Sequence, residues 1–280
     1  MHQSRSSTQV TSPGKDTPTA HSGGDAGFGK KVVVSSVGKT FRTGGRITHA
    51  VEDATFIAEP GKFVSLIGPS GCGKTTVMRM VAGLLEPSTG TITIDGQSTT
   101  AARKQHAYGF VFQEATLLSW RTLLANVTMP LEVLGVGKAE RRERGRQLLE
   151  LVGLGDFLGH YPDQVSGGMQ QRCSIARALS FQPGVLLMDE PFGALDLITR
   201  DRMGFELLRI WTAERSTVLF VTHSIEEAVL LSDVVLVFSA RPGRIAEVVP
   251  IELPRPRTTD QRDDPRYHQY VRELRRMLDA

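Results

Sequence analysis

Gly68-Pro-Ser-Gly-Cys-Gly-Lys-Thr75 follows the apolar run Phe63–Ile67 and opens the helical pattern Lys74–Leu84. A glycine-rich turn between a buried strand and a helix lets successive backbone N–H groups point into one concavity, at the positive end of the helix dipole. The spacing fits G-x-x-x-x-G-K-[ST], a loop that cradles the phosphates of a nucleoside triphosphate. Gly68, Pro69, Ser70, Gly71, Cys72, Gly73, Lys74, Thr75 and Thr76 are therefore the expected nucleotide-binding residues. Lys74 is expected to reach the β- and γ-phosphates, and the Thr75 hydroxyl to bind Mg²⁺.

Outward from this loop the chain alternates. Val32–Val37, Ala50–Ala58, Phe63–Ile67, Thr91–Ile94, Tyr108–Phe112, Val185–Met188, Thr217–Thr222 and Val234–Ser239 read as strands. Helical spacing covers Lys74–Leu84, Thr122–Leu134, Lys138–Val152, Gly168–Ser180, Thr199–Glu214 and Ser224–Leu231. Such interleaving implies an α/β fold with a mostly parallel sheet covered by helices. Asp95-Gly96 is a hairpin-type turn, and Gly243–Val249 is expected to pair back on Val234–Ser239. Pro250–Pro265 is rich in proline and charge, and Tyr267–Leu278 reads as a short surface helix. Residues 1–30 are rich in Ser, Thr, Gly and Pro and are expected to be a disordered leader.

Composition narrows the function classes. The 280 residues carry a net charge of +3, which does not point to a nucleic-acid partner. The two cysteines, Cys72 and Cys173, make neither a disulfide framework nor a zinc spacing. No apolar run approaches the roughly 20 residues that cross a bilayer. Any membrane role must pass through a partner.

A loop that holds Mg²⁺-triphosphate needs a second metal contact and a group to handle the attacking water. Val185-Leu-Leu-Met-Asp-Glu190 supplies both. An apolar strand that ends in an acid delivers a carboxylate at the carboxyl edge of the sheet, where phosphates sit. Asp189 is the expected Mg²⁺ residue, and Glu190 the group that polarises water.

The segment Val165-Ser-Gly-Gly-Met-Gln170, upstream of that acidic pair, resembles the signature motif of ABC-transporter ATPases. Val165 stands where the usual motif has Leu, and Met169 precedes Gln170. Other positions match in order across about residues 32–249. Gln113 resembles the family's Q-loop glutamine, which contacts Mg²⁺ and the reacting water. Asp196, in Ala194-Leu-Asp196, resembles the D-loop residue that couples two subunits. His223 resembles the switch histidine, and Phe41 stands where an aromatic residue stacks on adenine.

The resemblance implies a P-loop NTPase core of the ABC ATPase kind: a mostly parallel sheet, an antiparallel β subdomain and an inserted α-helical subdomain. The ATPase domain is expected over residues 31–250, its helical subdomain at about 114–180, and a tail with a short helix over 251–280. The implied cofactors are ATP and Mg²⁺. The implied partner is a second copy of the chain, stacked head to tail, so that Ser166, Gly167, Gly168 and Gln170 of one copy close over ATP held by the other. Glu190, His223 and Gln113 are the implied catalytic residues.

The stretches Glu114–Val127 and Arg241-Pro-Gly-Arg-Ile245 resemble the nitrate, sulfonate and taurine importer branch. That branch implies integral-membrane permease subunits as partners, a substrate-binding protein acting indirectly, and a peripheral place on the cytoplasmic face of the inner membrane. Leu118, Trp120 and Arg121 fall where a permease helix docks. An exporter or lipoprotein-release ATPase, and a soluble ABC ATPase outside transport, remain the alternatives at this point.

Overall fold

A computed structural model describes residues 29–193 and 195–279. The expected leader lies outside them except for its last two residues. Gly29 is buried, and Lys30 N donates to Gly184 O at 2.9 Å.

Two sheets organise the described residues. An antiparallel sheet contains β1 (Val32–Thr43), β2 (Arg46–Ala58), β4 (Thr89–Ile94) and β5 (Gln97–Ser98) in the order β2-β1-β4-β5. The second sheet contains β3 (Phe63–Ile67), β6 (Tyr108–Val111), β7 (Val185–Asp189), β8 (Thr217–Val221), β9 (Val234–Phe238) and β10 (Ile245–Pro250). Its order is β10-β9-β3-β8-β7-β6, parallel except for the edge strand β10.

The central strands β3, β7 and β8 are buried at every position, which explains why they read as continuous apolar runs. Alternate residues face opposite cores. Val64 and Leu66 join the core beneath the antiparallel sheet, with Val34, Phe56 and Met78. Phe63 and Ile67 join the other core, with Phe192 and Phe220. That second core also takes in three helices: α3 (Leu123–Val133), α4 (Lys138–Leu151) and α5 (Gly167–Leu179).

Four expectations change. The expected strands Val32–Val37 and Ala50–Ala58 are longer: β1 runs on to Thr43 and turns at once into β2, which starts at Arg46. Gly44 and Gly45, at φ 56° and 80°, make the two-residue turn whose twist matches the strands. α1 (Lys74–Val81) stops short of Leu84, because Gly83 takes φ 59° against Thr99 and ends the helix. A helix absent from the sequence reading, α2 (Thr99–Lys104), starts at the Ser98 cap.

The fourth change is the C-terminal helix, α8 (Pro265–Asp279), which is docked. It buries Tyr267 and Leu274 against the core that contains α7 (Ile225–Leu231). The buried Arg257 donates to the carbonyls of Val229 and Leu230, at the end of α7, and of its C-cap Ser232, at 3.1, 2.8 and 2.7 Å. Burial pulls its pKa down to about 10, which leaves it charged at neutral pH.

Candidate nucleotide site

The loop after β3 curls as its glycines require. Gly73, at φ 106°, lets the backbone pass so close to β2 that a Cβ there would lie 2.7 Å from Val51 Cγ2 and 2.8 Å from Ala50 O. Lys74 is 4% exposed. Its ammonium donates to Gly68 O at 2.8 Å and Pro69 O at 3.0 Å, which holds the charge over the concavity.

Strand order brings the remaining groups to this loop. β3, β8, β7 and β6 are neighbours and parallel, so their carboxyl ends lie side by side. Thr75 Oγ1, after β3, donates to Asp189 Oδ1, at the end of β7, at 2.9 Å. Asp189 is 8% exposed. Burial raises its pKa, with the Thr75 hydroxyl pulling the other way. A desolvated carboxylate beside a hydroxyl and an anion concavity is a donor set that a hard divalent cation fits.

The next residue, Glu190, takes φ 48°, an uncommon conformation for a side chain of this kind. Its N–H donates to Val221 O of β8 at 3.0 Å, which fixes the turn. Its carboxylate meets His223 Nε2 at 2.7 Å through Oε1, and Gln113 Nε2 donates to Oε2 at 3.5 Å. Three residues that lie 77 and 33 positions apart in sequence thus meet on one carboxylate.

A cavity of about 220 Å³ opens over the loop, lined by Phe41, Ser70, Gly71, Lys74, Thr75, Thr76, Glu190, His223 and Arg241 among others. Phe41 is 39% exposed, with Lys39 Nζ 5.4 Å from the centre of its ring. Pro69 supplies only a carbonyl to Lys74, and Cys72 is buried beneath the loop.

Arg241 and Gly243 were not among the expected site residues. Arg241 donates from Nε and Nη2 to Gly71 O at 3.2 and 3.0 Å. Gly243 pairs its backbone with Ala50 O and Glu52 N, and a Cβ there would fall 1.8 Å from Cys72 O. In sequence, Arg241-Pro-Gly243 carries the importer-branch resemblance and a hairpin-type turn, and neither ties it to the phosphate loop.

The signature stretch stands apart from this cavity; none of Ser166–Gln170 lines it. Ser166 caps α5, its Oγ accepting from Met169 N at 3.3 Å, and Ser166 and Gly167 are exposed. Gly168 is half-buried against Leu195 and Thr199. The Gln170 amide turns inward and donates to Pro162 O at 2.8 Å. Asp196 caps α6 (Leu197–Glu214), and the Thr199 N–H at 3.0 Å holds its carboxyl below the ordinary range.

The family model for the ABC transporter matches residues 51–193. The chain belongs to the ABC transporter family. An uncharacterized ABC transporter ATP-binding protein of Methanocaldococcus jannaschii is 48% identical over 81% of this chain and 84% of its own. The taurine import ATP-binding protein TauB of Rhizobium johnstonii is 43% identical over 84% of this chain and 90% of its own. The dimeric structure of a bacterial ABC transporter cassette superposes with a TM-score of 0.71, at 32% identity, over 80% of this chain and all of that one. As an ABC ATPase the chain binds and hydrolyses ATP.

Proposed function

We propose that this ABC ATPase works as a homodimer that energises import of a small oxyanion: taurine, another sulfonate, or nitrate. The supports are the taurine relative's name, the importer-like stretch at Glu114–Val127 and the dimeric cassette with the same fold. No helix among the described residues is long and apolar enough to cross a membrane. The permease subunits therefore supply the crossing, and the ATPase sits peripherally on the cytoplasmic face of the inner membrane. A substrate-binding protein acts from the other side.

Trp120 marks the permease contact. It is 73% exposed. The buried Asn126 holds the loop around it, accepting from Leu118 N at 2.8 Å and donating to Leu118 O and Arg121 O at 3.1 and 3.0 Å. A rigid exposed aromatic beside an arginine suits an interface hot spot.

The observation that carries the shared-site reading is that an exposed helix start, Ser166-Gly167, lies outside the cavity of its own chain. Its free N–H groups suit a phosphate brought by a second copy. Gln170 shapes the turn that presents them, and Asp196 stands at the junction of the copies. Within one chain, the loop amides and Lys74 bind the phosphates, and Phe41 offers a stacking face for adenine. Glu190, steadied by His223 and Gln113, accepts a proton from the attacking water. Thr75, Asp189 and Gln113 would hold Mg²⁺, which would offset phosphate charge.

The test is Glu190→Gln. ATP binding is expected to persist, turnover to fall by about 10²–10⁴-fold, and a nucleotide-bound dimer to accumulate in gel filtration. Turnover at the parent rate would remove Glu190 from its role. Full activity as an isolated monomer would remove the shared site.

A further inference from the structure

Leu195, the neighbour of Asp196, and Thr222 and Ser224, the neighbours of His223, lie on separate loops that a single run of polar contacts joins. Arg200, one turn into α6, donates from Nη2 to Leu195 O at 3.0 Å. Its Nε is buried, makes no full hydrogen bond, and stands 3.5 Å from Glu227 Oε1 on α7. The other oxygen of Glu227 accepts from the Thr222 hydroxyl. That hydroxyl in turn accepts from Ser224 N at 3.0 Å, so both neighbours of His223 are tied to one point. Glu227 is mostly buried beside this chain of contacts.

The outer faces of the same two helices are clasped at the adjacent residues. Arg262 holds Asp201 of α6 through two contacts of 2.7 Å. Arg275 reaches Glu226 of α7 at 3.1 Å, and Tyr267 OH donates to Glu226 O at 3.4 Å. The C-terminal segment thus sets the spacing of α6 and α7 where Arg200 and Glu227 meet.

We infer that Arg200 and Glu227 are positioning residues: together they form a strut that transmits the placement of the Leu195-Asp196 loop to His223, and through it to the Glu190 carboxylate. The 3.5 Å gap leaves the strut room to tighten when that loop moves. A charged pair held this way acts by orientation, and small misplacement of a catalytic group is costly to rate. The inference rests on the assignment of Glu190 and His223 made above.

The experiment compares Arg200→Gln, Glu227→Gln and the double variant in full-length protein, with kcat, KM for ATP and thermal melting. Each single variant is expected to lower kcat about 10- to 100-fold with KM nearly unchanged. The double variant is expected to be no slower than the worse single one, since either change cuts the same chain. Arg200→Lys, which keeps the charge but reaches only one partner, is expected to recover part of kcat. Losses that multiply in the double variant, a KM that moves with kcat, or a single variant at the parent rate would each overturn the strut. If a glutamine variant fails to melt cooperatively, Arg200→Lys and Glu227→Asp are judged by the same double-variant rule. Glu190→Gln run alongside separates the two readings. Loss of turnover there with parent rates in the Arg200 and Glu227 variants sinks the strut alone; retained turnover in Glu190→Gln sinks the site assignment beneath it.

Discussion

His223 Nε2 lies 2.7 Å from Glu190 Oε1, although the two residues follow different strands. The contact exists because β7 and β8 are parallel neighbours, which sets their carboxyl ends side by side. A residue at an unusual φ gains from such a partner, since the partner fixes which way the carboxylate points. His223→Ala is expected to lower kcat by about 10²–10³-fold while ATP affinity holds. Steady-state hydrolysis and equilibrium nucleotide binding measure the two separately. A parallel fall in affinity would place His223 in binding instead.

Asp189 separates stability from function. Burial raises its folded pKa above the ordinary value of 3.8. A raised carboxyl costs stability at neutral pH, where it must ionise in a poorly solvated place, and that cost fades as pH falls through the folded pKa. Asp189→Asn keeps an acceptor for Thr75 and removes the charge. It is expected to abolish Mg²⁺-dependent turnover while the nucleotide-free protein melts at or above the parent temperature at pH 7. The gain should vanish near pH 3. A lower melting temperature at pH 7 would contradict the burial argument.

Gly243→Ala tests the segment that backs the phosphate loop. Its Cβ would meet Cys72 O at 1.8 Å, so the loop or β10 must move. The expected cost is about 1–3 kcal/mol of stability, with ATP affinity reduced. Arg241→Ala removes two hydrogen bonds to Gly71 O without a clash, and its effect should be smaller. Calorimetric titration with ATP and a thermal melt would rank them. Equal affinities for both variants and the parent would show that this segment does not shape the loop.

Arg257→Leu removes the donors that satisfy the carbonyls of Val229, Leu230 and Ser232. Buried acceptors left without partners are expensive, and the expected loss is roughly 3 kcal/mol. Denaturant unfolding followed by tryptophan fluorescence measures it. A loss below about 0.5 kcal/mol would mean that water replaces the guanidinium.

Trp120→Ala should leave the isolated ATPase unchanged, because the side chain is exposed and buries no core. Stability should stay within about 0.5 kcal/mol of the parent. Co-purification with permease subunits should fall sharply, as for a central aromatic of an interface. Retained association would move the contact elsewhere.

The nucleotide loop and the acidic pair were readable because their chemistry is local. Gly68–Thr75 is one glycine-rich turn whose own backbone N–H groups suit a phosphate, and Asp189-Glu190 stands directly at its strand's end. Most element boundaries were readable for the same kind of reason: buried parallel strands are short apolar runs. The hairpin at Gly44-Gly45 was missed because two glycines signal a turn without saying which strands it joins. The docked α8 was missed because its anchors, Asp201, Glu226 and the core around Leu274, lie on other elements.

By itself the sequence determined that the chain is an α/β protein of the ABC ATPase kind, and it singled out a glycine-rich loop, an acidic strand end and a helix that starts at Ser166. Each of these is carried by neighbouring residues, whose periodicity and spacing are set by covalent geometry. Only the tertiary structure decided that Gln113, Glu190 and His223 share one carboxylate, that Arg241 and Gly243 back the loop, and that Arg200 meets Glu227. Those relationships depend on strand order and on how two helices pack. Such contacts are stabilised across long sequence separations, and no local pattern of residues encodes them.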